Sequence, residues 1–204
     1  MTIKLLSKVN DRYLQALEVH RCSADLYAFL AFEGFKQLHN YQYAEEAQVQ
    51  RKLKEFITKT YNVLLPDNPF DYFEVIDPKI KNKKRTELTS AEICEAIKYN
   101  WKCYCDWEYQ TLNIYETIAK QLSEESDIIG YDYVKNLAVM VNEELQYVNS
   151  TIVTYNAMDW DAAQLVAEQD TLHERYLYLM RELHKEFEQG HHFNSLVDQY
   201  SRSI

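Results

Sequence analysis

Three glycines and three prolines in 204 residues is the feature that most constrains this chain. Hairpin turns and tight β connections draw on both residues, and long helices avoid both. The three prolines, Pro66, Pro69 and Pro78, fall within one short stretch, so the rest of the chain is free to be helical. Hydrophobic residues make up 47%, enough for a folded globular core. The expectation is an all-α protein forming one domain over residues 1–204.

Apolar spacing divides the chain into five helical segments. The first runs from about Ile3 to Ala31, with Val9, Tyr13, Ala16, Ala24, Tyr27 and Ala31 recurring at three and four. A second stripe on it holds Leu14, Cys22 and Phe29. "FEGF" (32–35) reads as the break, with Gly34 supplying the turn. The second helix runs to about Tyr61, and Asn62 is its expected left-handed cap. A connection of about residues 62–88 holds all three prolines and the basic run "KIKNKKR". Such a segment is long enough to span a bundle and join two parallel helices. Thr89 and Glu92 have capping-box spacing and open a third helix to about Gln121. The fourth runs from about Tyr131 to Ala157, after a turn with Ser126 or Asp127 as cap. The fifth spans about 160–188, with Asp159 as the expected cap. The bundle proper covers about residues 3–157.

Charge and cysteine usage exclude several classes. A formal charge of −10 argues against nucleic-acid binding, which needs clustered cations. No run reaches the ~18 apolar residues of a membrane span, and no leader-like apolar segment opens the chain. Cys103 and Cys105 point about 200° apart on a helix and cannot chelate together. The four cysteines read as reduced thiols of a cytoplasmic protein.

Acids in phase with the apolar stripes are the candidate chemistry. On the third helix Glu108 shares a stripe with Ile97, Trp101, Tyr104, Thr111, Tyr115, Ile118 and Leu122. On the fourth, Glu144 shares one with Val134, Leu137, Val141, Val148 and Ile152, and Glu143 lies beside it. On the second, Glu45 and Glu46 flank the stripe of Leu38, Val49, Leu53 and Phe56. On the first, Glu18 and Asp25 lie on the second stripe, and His20 on the main one reads as a satisfied core histidine, with a replacement ligand as the alternative. Buried carboxylates repel one another unless a cation joins them, and hard oxygen donors suit iron or manganese. The alternative is that these acids face water or pair with cations and tyrosine hydroxyls. Asp170, His173 and His184 on the fifth helix lie off its core stripe of Leu165, Leu172, Tyr176, Leu179, Leu183 and Phe187 and read as a solvated face, as does His191-His192.

Residues 34–67, "GFKQLHNYQYAEEAQVQRKLKEFITKTYNVLLPD", resemble the second helix of ferritins and its exit. Gly34-Phe35, Glu45-Glu46, Lys52-Leu53, Phe56-Ile57 and Leu65-Pro66 stand in the family's order. The resemblance implies a ferritin-like four-helix bundle with one long crossover and an additional long C-terminal helix. It also implies a metal site of Glu18, Glu46, Glu108 and Glu144, with Glu143 as alternate. Such a site binds iron, two per chain when complete, oxidises Fe(II) with dioxygen and stores it, within a homo-oligomer. The family's histidine, three residues after the second-helix glutamate, is Val49 here. That departure leaves a second expectation open, a metal-free bundle acting as a structural or partner-binding protein.

Overall fold

The computed structural model describes residues 1–188, with side chains through Arg181. Its regular elements are helical: α1 (Thr2–Leu30), α2 (Glu33–Tyr61), a 3-10 turn (Arg85–Glu87), α3 (Ser90–Glu124), α4 (Ile128–Ala157) and α5 (Ala162–Glu188). The all-α reading holds among the described residues. No helix among them is long and apolar enough to cross a membrane. His191 and His192 lie outside the described residues, as does the side chain of His184.

Helix ends follow from cap chemistry. Thr89 accepts from the Glu92 amide while Glu92 reaches back to the Thr89 amide, satisfying two donors that the first turn of α3 leaves bare. The Asp127 carboxylate accepts from the Gly130 amide at 3.0 Å and opens α4. Asn62 closes α2 in the left-handed region, φ 55°. Two expectations need correcting. The α1–α2 break falls at Ala31, φ 60°, not at Gly34, which lies inside α2. The cap of α5 is Asp161, whose carboxylate accepts from the Ala163 and Gln164 amides, while Asp159 sits in the preceding turn.

Gly34 has a different task. A Cβ there would stand 1.8 Å from the Gln169 carbonyl oxygen, so the glycine lets the α5 backbone lie directly on α2. Tyr41 against Tyr176, with centroids 5.6 Å apart, continues that seam.

Side-chain contacts fix the helix directions. Thr2 bonds Glu125 and Tyr61 bonds Asp127 at one end, whereas Phe35 packs on Tyr155 at the other. Thus α1 and α4 run one way and α2 and α3 the other. The connection between α2 and α3 travels the length of the bundle over the α1–α3 seam. Asn68 bonds Ser7 and Asp11, Gln15 bonds the Asp71 carbonyl, Phe73 packs on Trp107, and Arg85 bonds the Leu30 carbonyl.

The core falls into two apolar clusters. One, near the start of α1, holds Leu6, Val9, Leu53, Phe56, Ile118, Leu122 and Leu137. The other holds Tyr27, Leu30, Phe35, Leu38, Ile97, Trp101, Tyr155 and Leu172. Between them lies a layer whose buried side chains are largely polar.

Candidate functional site

The polar layer is built by stripes that carry polar residues in core register. On α2 the stripe Phe35, His39, Gln42, Glu46, Val49, Leu53 and Phe56 alternates steps of four and three, so its inner face includes both His39 and Glu46. On α1, Leu6, Val9, Tyr13, Ala16, His20, Ser23, Tyr27 and Leu30 are all buried. On α3 all eight residues of the expected stripe are buried, Glu108 among them at 3% exposure. On α4 Glu144 sits one turn before Val148 and beneath Tyr104.

Three of the expected acids meet here. Glu46, Glu108 and Glu144 come from three different helices and act on one another electrostatically. Burial is the first cause that pushes each above the ordinary carboxylate range. Repulsion from Glu144 adds to it at both Glu46 and Glu108. Glu144 is held down in part by a short hydrogen bond from the Tyr104 hydroxyl. Glu46 has one carboxylate oxygen, Oε2, that is buried with no hydrogen-bond partner. A buried carboxylate oxygen without a partner is costly and marks a place where a proton or cation would be stabilised.

Glu45 joins them at the rim. Its Oε1 accepts from the Tyr41 hydroxyl at 2.7 Å, and burial raises its pKa to about 7, with Glu144 adding to the rise. A pocket of about 100 Å³ between α2 and α4 connects this rim to solvent. Glu45, Glu46 and Glu144 line it, together with Gln42, Val49, Lys52 and Met140.

Glu18 and Glu143 are elsewhere. Glu18 forms a bidentate pair with Arg21, at 2.6 and 2.9 Å, and its side chain is 27% exposed. The stripe it shares with Leu14, Cys22 and Phe29 faces the long connection, where Tyr72 reaches the Cys22 sulfur, rather than the bundle interior. Glu143 is exposed, one residue round the helix from Glu144. Asp170 is exposed on α5 and accepts a hydrogen bond from its neighbour Gln169.

Spacing singled out neither Arg12 nor His39, the partner of His20 in this layer. Arg12 is buried against α3: its Nε donates to the Thr111 hydroxyl at 2.8 Å, and Nη2 to the Trp107 carbonyl at 3.0 Å. Its guanidinium lies 3.2 Å from the Trp107 ring centroid. Burial lowers the Arg12 pKa to about 10, against the pull of Tyr115 and Glu108. His39 belongs to a histidine pair. His20 Nδ1 and His39 Nδ1 are 3.0 Å apart, so one ring donates and the other accepts. Burial lowers the pKa of both, to about 3 for His20, which keeps them neutral. Both pack edge-on to the Tyr104 ring, at 5.3 and 5.5 Å. His20 is fully buried in core register, and its Nε2 has no hydrogen-bond partner. The signal that would have found His39 is its place four residues after Phe35 and seven before Glu46 on the same stripe.

Among the described residues, no three His, Cys, Asp or Glu side chains are grouped so as to hold a metal ion as they stand. Glu144 and Glu45 are turned to tyrosine hydroxyls instead. Holding a cation would require these carboxylates to rotate toward the free oxygen of Glu46. No family model, curated protein or solved structure matches this chain.

Proposed function

We propose that the chain is a ferritin-like helical bundle that binds iron as Fe(II) through Glu46, Glu108 and Glu144, with Glu45 at the rim. One observation carries this reading. Carboxylates from three helices share a layer, Glu108 buried and Glu46 and Glu144 half-buried, and one oxygen of Glu46 is buried with no partner. A divalent cation would relieve both the repulsion and the unmet acceptor. Oxygen-only donors suit a hard ion such as Fe(II) or Mn(II). The up–down hairpins joined by a bundle-length connection agree with the ferritin resemblance of residues 34–67. Bound Fe(II) would supply electrons to dioxygen. The protein's own part is narrower: Tyr104 and Tyr41 orient the carboxylates, Glu46 and Glu108 give up protons as the ion enters, and the two apolar clusters keep bulk water out.

A second reading draws on Val49. It lines the pocket at the position where the resembled family carries a histidine, which removes one ligand. In that case the acids stay protonated, the layer is a neutral hydrogen-bonding stratum, and the bundle serves as a structural or partner-binding protein.

Iron content after anaerobic Fe(II) loading and desalting separates the two. The wild-type chain is compared with Glu46→Gln/Glu108→Gln, which keeps shape and removes charge. Iron retained by the wild type and lost by the variant supports the carboxylate site. Equal absence of iron from both proteins refutes it and leaves the metal-free bundle.

A further inference from the structure

α5 is attached to the bundle unevenly. Its start is fixed. Asp159 and Trp160 stand at φ 50° and 53° in the turn that leads into it, two successive left-handed residues without a glycine. Trp160 is buried there, with its Nε1 donating to Asn156 at 2.8 Å and its ring packed on Tyr155. Leu165 and Leu172 are buried in the apolar cluster. Between them the Gln169 backbone rests on Gly34, whose amide donates to the Gln169 side chain. The hold weakens past Tyr176, the last buried side chain described on α5. Leu179 and Met180 are half-buried, and Tyr178 and Arg181 are exposed.

The loosely held half runs along the acid pocket. Gly34 and Gln169 are 135 positions apart, and Tyr41 and Tyr176 have the same separation, so α5 runs parallel to α2 and in step with it. That offset sets residues 42–52, the α2 wall of the pocket, level with 177–187, and α5 continues as a helix to Glu188. α2 and α4 scarcely touch each other directly, so the seam between them is bridged by what lies on it. Tyr176 is that bridge. Its ring lies 5.6 Å from the ring of Tyr41 on α2, and its hydroxyl 3.4 Å from that of Tyr147 on α4. Both neighbours adjoin pocket acids: Tyr41 donates to Glu45, and Tyr147 stands one turn after Glu144. Among the described residues the pocket walls themselves come from α2 and α4 alone.

We infer that α5 is a hinged gate on the acid pocket. Its first half, through Tyr176, stays on α2, and its second half moves over or away from the α2–α4 seam in front of Glu45, Glu46 and Glu144. Tyr176 is the latch. With the gate shut, the pocket of about 100 Å³ admits small solutes only, and larger ones enter when the second half of α5 lifts. Such a gate operates whichever ligand the acids take.

The test needs no metal and is run with a chelator present, so its outcome is separate from that of iron loading. Val49→Cys puts a thiol on the pocket wall of the full chain. Its reaction with a small reagent, methyl methanethiosulfonate, and a bulky one, fluorescein maleimide, is compared with that of a free cysteine peptide. Peptide-resolved mass spectrometry separates it from Cys22, Cys94, Cys103 and Cys105. Adding Tyr176→Ala should speed the bulky reagent about tenfold or more and the small one much less, in a protein whose stability in urea makes global unfolding too rare to supply that rate. Equal bulky-reagent rates with and without Tyr176→Ala would overturn the gate, as would a rise in both reagents alike that follows global unfolding. Where Tyr176→Ala does not fold, hydrogen exchange of the wild-type chain decides. A step at Tyr176, with amides of 177–188 exchanging at least about tenfold faster than those of 165–175, supports the gate, and even protection along α5 overturns it.

Discussion

Replacing Glu45 by Gln tests the electrostatics of the layer without touching its centre. Burial raises the Glu45 carboxyl from an ordinary 4.5 to about 7, and the nearby Glu144 adds to the rise. A carboxyl raised on folding binds its proton more tightly in the native than in the unfolded chain. Its contribution is therefore fully favourable below pH 4.5 and is lost as pH climbs toward 7, flat above that. The shift corresponds to an upper limit of about 3 kcal/mol at pH 8. Gln cannot ionise, yet its amide oxygen can still accept from the Tyr41 hydroxyl, so the 2.7 Å bond survives. Glu45→Gln should therefore be close to neutral at pH 4 and more stable than wild type at pH 8, by as much as about 3 kcal/mol. Urea unfolding of both proteins at half-unit steps from pH 4 to 8, with a chelator present, reads the difference directly. A difference independent of pH would refute the argument, since a packing effect does not titrate. A destabilised variant at pH 8 would show that Glu45 is ionised and favourably paired at the rim.

Four further outcomes follow from the same contacts. Gly34→Ala should loosen α5 from α2 and cost about 1–3 kcal/mol, exceeding the helix-propensity gain of at most about 1, because the new Cβ meets backbone rather than a movable side chain; a variant as stable as wild type in urea would contradict the close approach at Gln169. With Glu45, Glu46, Glu108 and Glu144 all replaced by Gln, acidification from pH 6.5 should lower stability progressively, because His20 and His39 accept protons readily only when unfolded; an unfolding midpoint constant from pH 6.5 to 4.5 would show that the pair is not buried neutral. Cation loading should release protons, more at pH 6 than at pH 8.5, measured by calorimetry in buffers of different ionisation enthalpy; binding heats that do not depend on buffer would mean that Glu46 and Glu108 carry no proton in the free protein. Tyr104→Phe removes the donor to Glu144 and should weaken cation binding about threefold to thirtyfold with little loss of fold, since the ring packing on His20 and His39 is kept; unchanged affinity would separate Tyr104 from the site.

Much of the architecture was readable because local chemistry and helical period agree. Thr89, Asp127 and Asn62 cap the helices where a cap was expected, and every residue of the α3 stripe is buried. Glu108 and Glu144 were found by the same logic, as acids in phase with apolar neighbours. Gly34 misled because a glycine near a helix break has two uses. The chain turns at Ala31, which tolerates φ 60°, and spends the glycine on contact with a helix more than 130 positions later. Local sequence cannot reveal that partner.

Glu18 failed for a related reason, and its failure explains the layer. α1 is apolar on two faces, and spacing alone does not say which of them meets the other helices. The face of Val9, Tyr13, Ala16 and His20 turns to the bundle, whereas that of Leu14, Cys22 and Phe29 is covered by the long connection. Once the connection takes that second face, Glu18 pairs with Arg21 near solvent and α1 has no acid left to offer inward. Arg12 lies one position before the core stripe, where a long side chain can cross to α3 and still end in hydrogen bonds. In place of one acid from each helix, the polar layer holds acids from α2, α3 and α4 and the Arg12 guanidinium from α1. The same routing of residues 62–88 thus accompanies the choice of which side of α1 is interior and leaves Glu18 outside the polar layer.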